Sequence, residues 1–282
     1  MGIGSYRKYL IDSYKKNKKT FIFYTVLRIL VVLTLIRCIM RGNYQSAALC
    51  VLSLGLFFVP AILQDKMKID IPPVFQVIIF GFIFAAEILG EVDHFYVRIP
   101  GWDTMLHTMN GFLAAAVGFS LVYLLNRNSS KFNLSPFYLT LVAFSFSMTI
   151  GVLWEFFECA NDLLFAVDMQ KDFIVQDFGS VTLDPNNMGE SIHVTDITKT
   201  VIETASGKTY TIDGGYLDIG ILDTMKDLFV NFIGAVVFSL IGYSTLKYSK
   251  SSRVADSLMI KPVKEDAGEQ AHQNPDEKDE NQ

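Results

Sequence analysis

A chain of 282 residues that is 51% hydrophobic and only 19% charged, with a mean hydropathy of +0.33, is too apolar for a soluble globular protein of this length. Its apolar residues fall in long blocks, which points to a polytopic membrane protein and leaves nucleic-acid binding without support. The net charge of −5 is divided by region, with a basic start and an acidic, polar end.

Residues 1–20 carry Arg7, Lys8, Lys15, Lys16, Lys18 and Lys19 and read as a basic cytoplasmic N-terminus. Many polar residues precede the first apolar run and no small-residue cleavage site follows it, so that run reads as a retained span rather than a cleaved signal. Residues 21–165 hold five segments that approach the ~20 residues needed to cross a bilayer: Phe21–Met40, Tyr44–Leu63, Pro73–Leu89, Thr104–Leu125 and Pro136–Leu164. Arg41-Gly42-Asn43 links the first two as a tight helical hairpin. Residues 166–220 form an insertion of β-type composition, in which VIETASGKTYTI reads as a hairpin about Ser206-Gly207. The sixth span is Ile221–Leu246, within 221–246, and residues 247–282 read as a disordered acidic cytoplasmic tail. His272 there is incidental, as is His193 in the insertion beside Asp184 and Asp196. The expected fold is therefore an all-α six-helix transmembrane bundle with a small hairpin-containing extracytoplasmic insertion.

Lys and Arg in the short flanks set the orientation. With the N-terminus inside, the inner segments hold the six N-terminal basic residues, then Lys66 and Lys68, Arg127 and Lys131, and Lys247, Lys250 and Arg253. The short outer loops hold only Arg41 and Arg98, so both termini are expected in the cytoplasm. Cys38, Cys50 and Cys159 lie within apolar blocks without metal-type spacing and read as buried packing thiols.

The polar residues inside the spans converge on one depth. Glu155, Glu158 and Asp162 in GVLWEFFECANDLLF share one helical face toward the outer end of span five. Asp223, Asp227 and Asn231 share a face where span six begins, and Asp103, His107 and Asn110 do so in span four. Glu87 comes from the end of span three, with Asp93 and His94 just beyond. Acids at helix N-termini suit the helix dipole, which accounts for Asp103 and Asp223 taken singly. Glu155 and Glu158 lie well inside their helix near its C-terminal end, where the dipole disfavours anions. A bare carboxylate there costs about 2.5–3.5 kcal/mol even on the gentler insertion scales.

So many carboxylates cannot all be ionised in one low-dielectric cavity. Arg37, Arg28, Arg98, His107 and Lys226 are candidate basic partners, with Arg37 near the outer end and Arg28 deeper. Protonation and a bound divalent cation are the other two remedies. Carboxylates and amides suit Mg, Ca or Mn, while His107 moves the preference toward Mn, Fe or Zn. The expected metal set is Asp103, His107, Glu155, Glu158, Asp162, Asp223 and Asp227, supported by Glu87, Asn110, Asn231 and Arg37. His107 or Glu155 would serve as general base or acid.

The stretches WDTMLHTMNGFLAAAVGF, GVLWEFFECANDLLFAVDMQKDF and DTMKDLFVNFIGAVV resemble the YjdF-like family of bacterial membrane-spanning proteins over roughly residues 70–245. A looser likeness is to VanZ-like proteins, through Asp227, Asn231 and Gly234 in a D-x-x-x-N-x-x-G pattern before the final span. The first resemblance implies a multi-pass protein of the bacterial cytoplasmic membrane. The second points to lipid-linked or cell-envelope substrates. The 166–220 insertion and the acidic tail depart from the family's usual compactness. Three functions follow as expectations: a metal-dependent enzyme acting on such substrates at the outer leaflet, a proton- or cation-coupled transporter, or a non-catalytic envelope or resistance factor. The partners expected are the lipid bilayer and that substrate.

Overall fold

The computed structural model describes residues 14–15, 17–128, 134–248 and 257–262. Among the described residues, six helices are long and apolar enough to cross a membrane: Lys18–Met40, Tyr44–Met67, Pro73–Val92, Trp102–Asn126, Pro136–Phe165 and Ile221–Tyr248, taken as spans one to six. Large apolar side chains such as Ile29, Leu33, Leu153, Phe156, Phe229 and Leu240 stay exposed along them, as lipid-facing surfaces require. The chain divides into two compact units, one of 1–88, 123–133 and 251–282, the other of 89–122 and 134–250.

In the first unit, Asn17 caps span one by accepting hydrogen bonds from the amides of Lys19 and Thr20 at 3.1 and 3.2 Å. Gly42, at φ 70°, makes the turn of the expected hairpin, and the Asn43 side chain caps span two through the Ser46 amide. Span two is not continuous. It runs as Tyr44–Leu56 and Val59–Met67, broken at Phe57–Phe58. Pro60 lacks an amide hydrogen and its ring would strike the preceding turn, so it starts a new helical segment. Tyr24, Phe57 and Phe80 pack as an aromatic trio with ring centroids 4.5–5.9 Å apart. Arg28, puzzling in the sequence, lies over the rings of Tyr24 and Phe58 at 4.9 and 4.5 Å, an arrangement in which cation–π attraction offsets part of its burial.

Span three ends three residues later than expected, at Val92, and its last nine residues, Phe84–Val92, are π-helical and carry Glu87. The tail also differs from expectation. Lys261-Pro262 pairs antiparallel with Ile69-Asp70, and Leu258, Met259 and Ile260 are buried. These apolar residues sit in a short stretch before the acidic run, and burying them stabilises local order where average composition predicts none. The remainder of the expected disordered tail, His272 included, and Arg7, Lys8 and Lys16 of the basic N-terminus lie outside the described residues.

In the second unit, span five starts at Pro136 with Ser135 as its cap, the Ser135 hydroxyl accepting from the Tyr138 amide at 3.3 Å. Phe238 of span six meets Phe112 and Phe119 of span four edge-on, and Phe144 of span five meets Phe232 in the same way. Between spans five and six lie short antiparallel pairs: 174–175 with 216–217, 178–180 with 192–194, and the hairpin of Lys199–Glu203 with Thr209–Asp213. That hairpin turns at Ser206-Gly207 as expected, with Gly207 at φ 79°. The fold is all-α with six spanning helices and a small strand-bearing region between the fifth and sixth.

Candidate functional site

Within the second unit, span four as far as Val122 and spans five and six come close enough for their polar faces to meet. Small residues permit this. A Cβ on Gly111 would strike the carbonyl of Asn231, one on Gly151 the Asn231 side chain, and one on Gly234 the carbonyl of Thr108. Close backbone approach through small residues is the usual way helices associate in lipid. Asn231, 1% exposed, accepts from Asn110 Nδ2 at 3.1 Å and faces the carbonyl of Ser147 at 3.5 Å, while the Ser147 hydroxyl donates to the Gly111 carbonyl at 2.7 Å. This polar junction forms the floor of the site.

One turn nearer the strand-bearing end sits His107, buried between two groups of acids. Its Nε2 lies 3.4 Å from Asp103 Oδ1 and 3.8 Å from Asp227 Oδ2. Its Nδ1 lies 3.6 Å from Glu155 Oε1. Two trios, Asp103-His107-Asp227 and His107-Glu155-Glu158, can each offer one ligand atom within 4.8 Å of the others. Neighbouring ligands of a shared divalent ion sit about 3 Å apart when each lies about 2.1 Å from it, so a modest closure of side chains suffices.

The trios are not equally provided for. Lys226 Nζ reaches Asp223 Oδ1 at 2.5 Å and Asp103 Oδ2 and Asp227 Oδ1 at 3.6 Å each. It supplies a cation to the first. On the other side, Glu158 Oε1 accepts from Trp154 Nε1 at 2.8 Å. Glu155 is 4% exposed; the Thr224 side chain lies near its carboxylate, but neither oxygen makes a well-formed hydrogen bond among the described residues.

Two acids of the expected metal set do something else. Asp162 accepts from the amides of Met169 and Gln170 at 2.7 and 2.9 Å, and Asp223 Oδ2 accepts from the amide of Lys171 at 2.9 Å. Asp218 continues the pattern by accepting from Phe173 at 2.6 Å, and from Gly220 and Leu222 at the start of span six. Gln170 also donates to Thr224. Three carboxylates thus strap residues 169–173 across the ends of spans five and six, and Lys226 lies over the Phe173 ring at 5.5 Å. Asp162 is a loop anchor, and Asp223 an anchor and a lysine partner; neither belongs to the two trios. Arg37 and Glu87 belong to the first unit.

Sequence reasoning named Lys226 only as one of several basic partners, gave Trp154 beside the site no role beyond that of an interface tryptophan, and missed Ser147 and the strap. The Trp154–Glu158 spacing of i, i+4 was a usable signal. Nothing local announces that Asp162 serves backbone amides. Outside the membrane, Asp184 in DPNNMGES accepts from the amides of Asn186, Met188 and Glu190, which hold its carboxyl below the ordinary range, and it organises its own loop. His193 lies in a strand beside Gly179, apart from the trios.

Six spanning helices with a buried acid–histidine group define a multi-pass integral membrane protein. A family model described as "Predicted membrane protein (DUF2238)" matches residues 22–248, and the chain belongs to that family. Neither the curated proteins nor the solved structures give a match to it.

Proposed function

We propose that this is a metal-dependent enzyme of the bacterial cytoplasmic membrane, with His107 Nδ1, Glu155 and Glu158 holding one divalent ion near the outer leaflet. The observation that carries the reading is the Glu155 carboxylate, buried beside the Thr224 side chain with neither oxygen in a well-formed hydrogen bond among the described residues, and one of them 3.6 Å from His107 Nδ1. A buried anion needs a cation or a proton, and the second trio has no lysine or arginine of its own. An ion on Nδ1 leaves the imidazole proton on Nε2, which faces Asp103. Metal-ligating histidines regularly donate their second ring hydrogen to a carboxylate in this way. Oxygen and imidazole donors together suit Mn or Zn best, with Mg and Ca served by the carboxylates alone.

Such an ion supplies a Lewis acid for a carbonyl or phosphoryl oxygen and an activated water at neutral pH. With one oxygen on the ion, Glu155 would keep its other oxygen to accept a proton. The outer-leaflet position follows from the Lys and Arg bias of the loops, which puts both termini in the cytoplasm and the 166–220 region outside. The looser likeness to VanZ-like proteins favours a lipid-linked or cell-envelope substrate. The Asn110–Asn231–Ser147 junction closes the floor and speaks against a path through the membrane. Elemental analysis of protein purified in detergent tests the reading: about one divalent ion per chain is expected, lost in Glu155→Gln and Glu158→Gln. Metal-free protein whose thermal stability ignores added Mn2+ and Zn2+ would overturn it.

A further inference from the structure

We infer that Lys226 is a tethered stand-in for a second divalent cation, so that the site holds one exchangeable ion where its carboxylates would hold two. The inference rests on the reading above for the first ion and on a separate set of residues for the second. The ammonium of Lys226 is surrounded by one oxygen from each of three acids: Asp223 Oδ1 at 2.5 Å, Asp103 Oδ2 at 3.6 Å and Asp227 Oδ1 at 3.6 Å. An ion at the nitrogen's position would meet three hard oxygen donors from two helices after a closure of about 1 Å, given metal–oxygen distances of about 2.0–2.6 Å.

A second observation points the same way. Asp227 is 1% exposed, and its Oδ1 has no hydrogen-bond partner among the described residues although it faces the ammonium. Lys226 therefore neutralises that oxygen by charge without satisfying it in geometry, which a smaller, doubly charged ion would do. The lysine side chain itself is 36% exposed, on a flexible stem beside the Phe173 ring, so it can leave its position.

The consequence is a count of ions. Wild-type protein and Lys226→Gln, each full length in detergent and equilibrated with Mn2+, are read by elemental analysis and by electron paramagnetic resonance. One ion in the wild type and two in the variant, with spectral broadening from spin coupling across His107, is the expected result, and Lys226→Arg stays at one. One ion in both wild type and Lys226→Gln overturns the inference and leaves the first-ion reading standing. No ion in the wild type with one in the variant does the reverse. Should Lys226→Gln fail to fold, Lys226→Met, expressed and purified in Mn2+ so that the ion can replace the lost charge, is counted in the same way. Two ions there support the inference and one overturns it.

Discussion

The Nδ1 atom of His107 in span four lies 3.6 Å from Oε1 of Glu155 in span five, with both side chains buried. The pair joins two helices through a contact too long for a strong hydrogen bond, in a medium where an unsatisfied carboxylate is costly. A ligand bound only by the folded state stabilises it by mass action. Mn2+ at a hundredfold excess over its Kd is therefore expected to add about 2.7 kcal/mol to the unfolding free energy. Differential scanning fluorimetry in detergent, with and without a chelator, measures this, and Glu155→Gln abolishes the response.

Asp103 touches the imidazole on the side away from Glu155 and orients it. Asp103→Asn keeps the shape but weakens the acceptor for the Nε2 hydrogen, and loss of such outer partners lowers metal affinity about 10–100-fold. A Mn2+ titration followed by calorimetry reads the change. An unaltered affinity would show that the ion is not on His107.

The tight helix junction predicts a sharp contrast between glycines. Gly234→Ala drives a methyl group into the Thr108 carbonyl and the Phe112 amide, and overpacking of this kind costs about 1–3 kcal/mol. Gly55→Ala, with nothing within 4 Å of its new methyl, is neutral or stabilises by up to about 1 kcal/mol. Thermal or denaturant unfolding of the two variants in the same detergent separates them.

The strap has a pH dependence with a definite sign. Burial raises the Asp218 carboxyl, but the amides of Phe173, Leu222 and Gly220 outweigh it and leave the group below its ordinary value. A group lowered in the folded state contributes stability that is complete above its unfolded pKa, about 3.9, and is lost as pH falls through the folded value. Amide hydrogen exchange of residues 169–173, read against the intrinsic rate at each pH, is expected to show protection near pH 5 that is lost progressively below about pH 3.9. Asp218→Ala should exchange without that protection across the whole range.

By itself the sequence determined the class, the six spans to within a few residues, the hairpin at Ser206-Gly207 and the gathering of acid and amide groups in spans four, five and six. These are legible because a helix in lipid must be long and apolar, and because 3.6-residue periodicity assigns each residue a face without knowledge of neighbours. Faces are not contacts. Asp162 and Glu158 share a face and look alike in the sequence, yet one anchors the amides of Met169 and Gln170 while the other meets Trp154 within reach of His107. Nor does local sequence say that Leu258, Met259 and Ile260 are covered, or that Lys226 is surrounded by Asp103, Asp223 and Asp227. Only tertiary structure decided these assignments. The electrostatic need of a buried carboxylate is met by whichever donor or cation packing brings to it, and the backbone amides of the strap come from a segment with no helical period to read.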